Sequence, residues 1–136
     1  MATRTSSQVA TGISPKGLRV GLVAVTGTYS VGAGTSLSAG DVIQMIKVPK
    51  GATPIYVALS NGSGDCLIEV GDGVDADRYI TSVTQSSAQP VLRTINSNFV
   101  PYAYSTDDTI DVTIGTVSVG TITGGFRMTA IYTMDP

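Results

Sequence analysis

Residues 102–114 read Tyr-Ala-Tyr-Ser-Thr-Asp-Asp-Thr-Ile-Asp-Val-Thr-Ile. Tyr102 and Tyr104 share one face of an expected strand. Ile110, Val112 and Ile114 share one face of the next, with Thr109, Asp111 and Thr113 opposite. A period of two describes a sheet with one buried and one wet face. The acidic pair Asp107-Asp108 forms the turn between them. A second stretch agrees: Leu67-Ile68-Glu69-Val70 runs into the turn Gly71-Asp72-Gly73, and Asp77-Arg78-Tyr79-Ile80 opens the next strand.

Working outward, the same pattern recurs along the chain. Leu18 to Val31 reads as a strand that Thr26-Gly27 could bend or bulge. Asp41 to Val48 is a strand ending at the turn Pro49-Lys50-Gly51, and Ile55 to Ser60 is another. Leu67 to Val70, Arg78 to Val83, Val91 to Thr94, Tyr102 to Ser105, Ile110 to Ile114, Thr116 to Ile122 and Phe126 to Thr133 complete the set. Gly-rich loops lie at 31–36 and 61–65. One helical turn is expected near Leu37 to Gly40, and no sustained 3.6-residue period appears. Eight to ten short strands with a turn about every ten residues indicate an all-β sandwich or barrel.

A chain of 136 residues is one domain. Residues 1–17 read as a polar arm and 18–136 as a single β domain. The arm lacks apolar periodicity, so it is expected to add little to the core. It lacks the apolar stretch of a signal peptide, which points to synthesis in the cytoplasm. Only 13% of residues are charged, about half the usual share, while 32 are Ser or Thr. Residues 1–60 hold five basic groups and one acid, a net +4; residues 61–136 hold three basic groups and nine acids, a net −6. So weakly charged a surface favours association with other subunits. No apolar run approaches the ~20 residues of a membrane span.

Candidate chemistry is sparse. The chain has no histidine and one cysteine, Cys66, so a thiol–imidazole pair and an internal disulfide are both excluded. Asp72, Asp75 and Asp77 could supply carboxylates to Ca²⁺, but the spacing is not that of an EF-hand. The simpler reading is a tight turn whose Asp side chains bond nearby backbone N–H groups. Arg78 is expected to pair with its neighbour Asp77. Asp107, Asp108 and Asp111 are too close in sequence to flank a sugar from separate elements. Gly32-Ala33-Gly34 and Gly71-Asp72-Gly73 open no helix, which disfavours a phosphate cradle. A pI near 4.7 disfavours nucleic acid. Tyr79, Tyr102, Tyr104 and Tyr132 read as core or interface anchors. Arg4 and Lys16 on the arm, with Tyr102 and Tyr104, are the interface candidates.

The run Asp41-Val-Ile-Gln-Met-Ile-Lys-Val-Pro-Lys-Gly-Ala-Thr, the element Glu69-Val-Gly-Asp-Gly-Val-Asp-Ala-Asp-Arg-Tyr79, the segment Tyr102 to Thr113 and the closing strand Phe126 to Tyr132 together resemble the head decoration, or cement, proteins of tailed bacteriophages. The resemblance covers about residues 18–133. It implies a jelly-roll that packs on the outer surface of a capsid, made in the bacterial host cytoplasm. The implied partners are the major capsid protein and further copies of the chain, as a homodimer or homotrimer. It implies no enzyme activity, no cofactor, no nucleic-acid partner and no membrane. The competing expectation is a receptor- or glycan-binding module of a virion fibre or tail. The absence of Trp and the scarcity of other aromatics weigh against a glycan pocket.

Overall fold

Alternation places Ile110, Val112 and Ile114 in the interior, each with no exposed surface. The same period drives the other strands. A computed structural model describes residues 2–10, 21–32, 36–61, 65–85, 93–94, 100–119 and 124–134. The elements are β1 (Thr3–Thr5), α1 (Ser7–Ala10), β2 (Gly21–Ser30), β3 (Val42–Val48), β4 (Ala52–Asn61), β5 (Asp65–Gly71), β6 (Ile80–Gln85), β7 (Arg93–Thr94), β8 (Asp108–Val119) and β9 (Gly125–Met134).

One sheet has the order β1-β3-β8-β5-β6 and the other β2-β9-β4-β7. Strands β2 to β9 are thus the eight strands of a jelly-roll, four in each sheet. β1 is an addition, paired in parallel with β3 at the edge of the first sheet. The core lies between the sheets. Ile43, Met45, Ile46, Ile68 and Val70 of one sheet face the layer of Val57, Leu59, Phe126, Met128 and Tyr132 of the other. The all-β expectation is met, with nine strands among the described residues.

Several local expectations are corrected. The strands expected at 110–114 and 116–122 are one continuous strand, β8, as far as Val119. Residues 102–105 form no strand, although Tyr104 exchanges backbone bonds with Gly51 and Ala52. Gly27 makes no bulge, because β2 stays in register with β9 from Gly21 to Ser30. The helical turn expected at 37–40 is a hydrogen-bonded turn, in which the Asp41 N–H donates to Ser38 O. The short helix lies instead at Ser7–Ala10. β4 runs through Pro54, whose missing N–H coincides with a register shift against β9 between Pro54 and Tyr56.

The described part of the expected arm is integral to the sandwich. β3 carries a bulge between Gln44 and Ile46, where Met45 is the extra residue. A bulge leaves a carbonyl outside the ladder. The Ser6 hydroxyl, fully buried, donates to that Met45 oxygen. The Ser6 N–H donates to Gln44 O at 2.8 Å. A Cβ on Gly27 would collide with the same Met45 oxygen, so glycine is required there. At the other end of β1, Asp41 accepts from the Ala2 N–H at 2.9 Å and from Arg4 at 3.5 Å. The boundary expected at residue 17 lies outside the described residues.

Deleting residues 2–10 should therefore destabilise the domain, because it orphans the buried Met45 carbonyl and uncovers the edge of β3. The melting temperature should fall by more than about 4 °C, the shift expected for on the order of 1 kcal/mol. Equal melts for the two chains would show that the arm is only an appendage.

Candidate functional site

Gly71 ends β5 and the chain turns back over it. A side chain there would strike the Asp75 carbonyl, so only glycine lets the turn close. The Asp72 N–H donates to Asp75 O at 2.9 Å, and the Tyr79 N–H rejoins the sheet at Val70 O, 2.8 Å away. Between these bonds the Asp72 side chain organises the loop. Its Oδ1 accepts from the backbone N–H groups of Val74 and Asp75, at 3.0 and 2.9 Å. Its Oδ2 accepts from Arg78 Nε at 2.6 Å and from the Tyr104 hydroxyl at 3.0 Å.

The tyrosines extend this cluster. An ionised carboxylate only accepts, so the Tyr104 hydroxyl points its proton at Asp72. Tyr79, whose oxygen is 2.7 Å from that of Tyr104, must then be the donor between the two hydroxyls. The Arg78 guanidinium lies 3.8 Å from the centre of the Tyr102 ring, a cation–π contact. Tyr102 meets Tyr104 edge-on, with centroids 5.2 Å apart. Backbone bonds then tie Tyr104 to Gly51 and Ala52, and Asp107 accepts from the Lys50 N–H at 2.8 Å. Three connections thus meet at one end of the sandwich: 72–79, 100–107 and 49–51.

Electrostatics follows the bonding. Burial works to raise Asp72, but the Arg78 bond, the two backbone N–H groups and Tyr104 outweigh it and hold the carboxyl below its usual value. Burial pushes both Tyr79 and Tyr104 up, so each stays a neutral phenol. Asp111 is the exception. It sits mid-strand opposite Gln44 of β3 and Gly71 of β5. It is 7% exposed, and its Oδ1 has no hydrogen-bond partner among the described residues. Burial pushes it up to about 7, Thr109 works to lower it, and the charges of Asp108 and Asp72 add to the rise.

The structure gathers some of the singled-out residues and scatters others. Asp72 is the centre of the cluster. Asp75 reaches Arg78 at 4.0 Å. Asp77 is exposed, so the expected Asp77–Arg78 pair is replaced by Asp72–Arg78, which the turn brings together across six positions. The three acids do not converge, and among the described residues no set of three acidic or sulfur side chains could hold a metal. Tyr104, an interface candidate, is 4% exposed and belongs to the core; Tyr102 is half-buried beneath Arg78. Arg4 lies against Asp41, and Lys16 is outside the described residues. Asp107, Asp108 and Asp111 do not form a carboxylate pair: Asp107 and Asp108 bond the backbone N–H groups of Lys50 and Thr109, and Asp111 is buried. Asp111, which the alternation put on the wet face, is buried instead, and the residue the sequence reading passed over was Asp41, whose partners come from the arm. Chemically the cluster is a clamp. Two apolar side chains sit beside it: Val74 on the turn, 83% exposed, and Val100, two residues before Tyr102, 76% exposed.

No protein-family model matches the chain, and no curated protein sequence does. Solved structures do. A chain of the capsid of Ralstonia phage GP4 superposes with a TM-score of 0.80 and 13% identity, over 99% of each chain. A chain of the capsid asymmetric unit of cyanophage Pam1 gives 0.74 and 15% identity, over 90% of this chain and 93% of that one. A chain of the acid-stable capsid of Helicobacter pylori bacteriophage KHP30 gives 0.61 and 12% identity, over 85% and 89%. At these identities the likeness is one of fold.

Asp72→Ala should be strongly destabilising, by about 3 kcal/mol, because it strands a partly buried guanidinium, a buried phenol and two N–H groups. Tyr79→Phe should cost only about 1 kcal/mol, since it leaves every bond to Asp72 in place. Urea melts of both variants check the order.

Asp111 gives a pH dependence of its own. Between about pH 4 and 7 the folded chain keeps a proton that the unfolded chain has released. That contribution is full below the unfolded value and lost as the pH rises through the folded one. Asp72 and Asp41, both lowered, run oppositely and lose stability as the pH falls through their depressed values. Asp111→Asn should therefore melt at least about 4 °C above the wild type at pH 8, with the gap narrowing at pH 5. A gap independent of pH would show that Asp111 does not titrate.

Proposed function

We propose that this chain is a structural virion protein that binds the outer surface of a phage capsid and stabilises the shell. In this reading one jelly-roll domain, residues 18–136, carries an arm, 1–17, whose residues 2–10 clasp its own sheet. The observation that carries the reading is the superposition, over 99% of both chains, on a chain of a phage capsid. The internal chemistry is consistent with it. Asp72, Arg78, Tyr79 and Tyr104 bond one another, so the conspicuous polar residues hold loops in place. The clamp presents Val74 and Val100 at one end of the sandwich, which suits a dry contact with a shell.

A protein of this kind needs no turnover. It binds the expanded lattice and not the loosened one, and mass action converts that difference into shell stability. Repeated over a capsid, and strengthened by self-association, weak contacts add through multivalency. The major capsid protein is the partner in this reading.

Purified protein should co-sediment with undecorated, expanded capsids of its phage, saturate at a fixed number per shell and raise the temperature of shell disruption. Val74→Asp should weaken binding at least about tenfold, on the order of 1.4 kcal/mol, without changing the melt of the isolated protein. Binding to host cells or glycans with none to shells would replace this reading with the receptor module.

A further inference from the structure

Alternation puts Asp111 on the outer face of its sheet, in line with Thr109 and Thr113, and both threonines are half-buried there. Asp111 itself is 7% exposed, and its Oδ1 has no hydrogen-bond partner among the described residues. A cover that reaches Asp111 and spares the threonines is local. The register shows part of it. Asp111 lies opposite Gly71 of β5, and ladder partners project to the same side of a sheet. On that side of Gly71 sit the carbonyl oxygens of Asp75 and Ala76, which a Cβ would strike. The 72–79 turn is thus folded down over the row that holds Asp111.

The surroundings suit an acid and not its anion. β3 places Gln44 opposite Asp111 and Lys47 opposite Thr109, and β1 adds the neutral Thr5 beside Gln44. β5 places Glu69 opposite Thr113. The turn brings Asp72, Asp75 and Arg78, with Arg78 bound to Asp72 at 2.6 Å, while Asp77 is exposed. The charges felt at Asp111 are those of Asp108 and Asp72, both negative; Lys47 and Arg78 are not among them. A protonated acid can donate to a carbonyl oxygen, whereas a carboxylate only accepts. Over the neutral acid the two carbonyls of the turn fit. Over the anion they add their dipoles to two like charges around a desolvated carboxylate.

We propose that Asp111 is a proton-operated latch for the 72–79 turn: protonated, it lets Asp75 and Ala76 seat on Gly71, and ionised, it lifts them and admits water. The turn is the movable part, because β3, β8 and β5 around Asp111 each pair with a strand on both sides. The direction of the switch follows from linkage. Burial above all, with the charges of Asp108 and Asp72, holds the proton to about pH 7, while an uncovered carboxyl releases it near pH 4. The seated turn is therefore favoured in full below about pH 4 and loses that advantage as the pH rises through about 7. Val74 rides on this turn. The latch is a property of the isolated chain, and it rests on the proposed function only in its consequence, that attachment to a shell through Val74 weakens in alkaline solution.

The test uses the full chain and nitrogen-15 relaxation. Order parameters of the Val74, Asp75 and Ala76 amides should be near 0.85, the value of rigid backbone, at about pH 5.5 and should fall below about 0.6 at about pH 8.5. Those of β9, in the other sheet, should stay rigid at both. Asp111→Asn carries no charge and keeps a donor for the carbonyl oxygens, so its turn should be rigid throughout. A wild-type turn rigid at both pH values, or one that loosens equally in Asp111→Asn, would overturn the inference. So would a loss of order shared by β9, which reports unfolding of the whole domain. Shell binding is scored separately. Co-sedimentation of the wild type should weaken at least about tenfold over the same interval as the competent fraction falls, and that of Asp111→Asn should not. A turn that loosens in a chain that binds no shell removes the shell reading alone, and a chain that binds shells with its turn rigid at both pH values removes this one alone.

Discussion

A carboxylate with 1% of its side chain exposed must replace the water it gives up, and Asp72 does so with four hydrogen bonds. Two close its own turn and two reach beyond it, to Arg78 and to Tyr104. Through Tyr104 the same carboxylate is tied to the turn at Gly51. The loops at this end of the sandwich are thus set by one buried charge. Unpaired, that charge would cost several kcal/mol, which makes the arrangement close to all-or-none. Among the described residues Asp111, on the neighbouring strand, has no cation beside it. It avoids the same penalty by keeping its proton near neutrality.

At the side of the sandwich the constraint concerns backbone groups. A jelly-roll has open edges, and each leaves donors and acceptors unpaired. This chain closes one with its own N-terminal residues: β1 covers β3, Ser6 satisfies the bulged Met45 carbonyl, and α1 reaches Thr28. The run of β2 from Leu22 to Thr26 is regular along β9 and neutral.

Strand existence was legible from period and punctuation. Pro49-Lys50-Gly51, Asn61 to Asp65 and Gly71-Asp72-Gly73 mark turns because proline and glycine have few or unusual backbone options. The errors lay where tertiary contact overrode local pattern. Gly115 suggests a break between two strands, yet β8 passes through it, because a Cβ there would press on Leu67 of β5. Gly27 resembles a bulge but is a gap left for Met45. Tyr102 and Tyr104 alternate as a strand would, but both side chains belong to the clamp.

The sequence by itself determined the all-β class, most strand positions, the acidic turn and the absence of imidazole chemistry, since these depend on side-chain period and residue type. Only the tertiary structure decided which acid Arg78 would bond, that Asp111 is buried and protonatable, and that residues 3–5 of the polar arm belong to a sheet. Each of these depends on residues far apart in sequence sharing a desolvated space. Composition cannot encode that proximity; the crossing of strands between two sheets creates it.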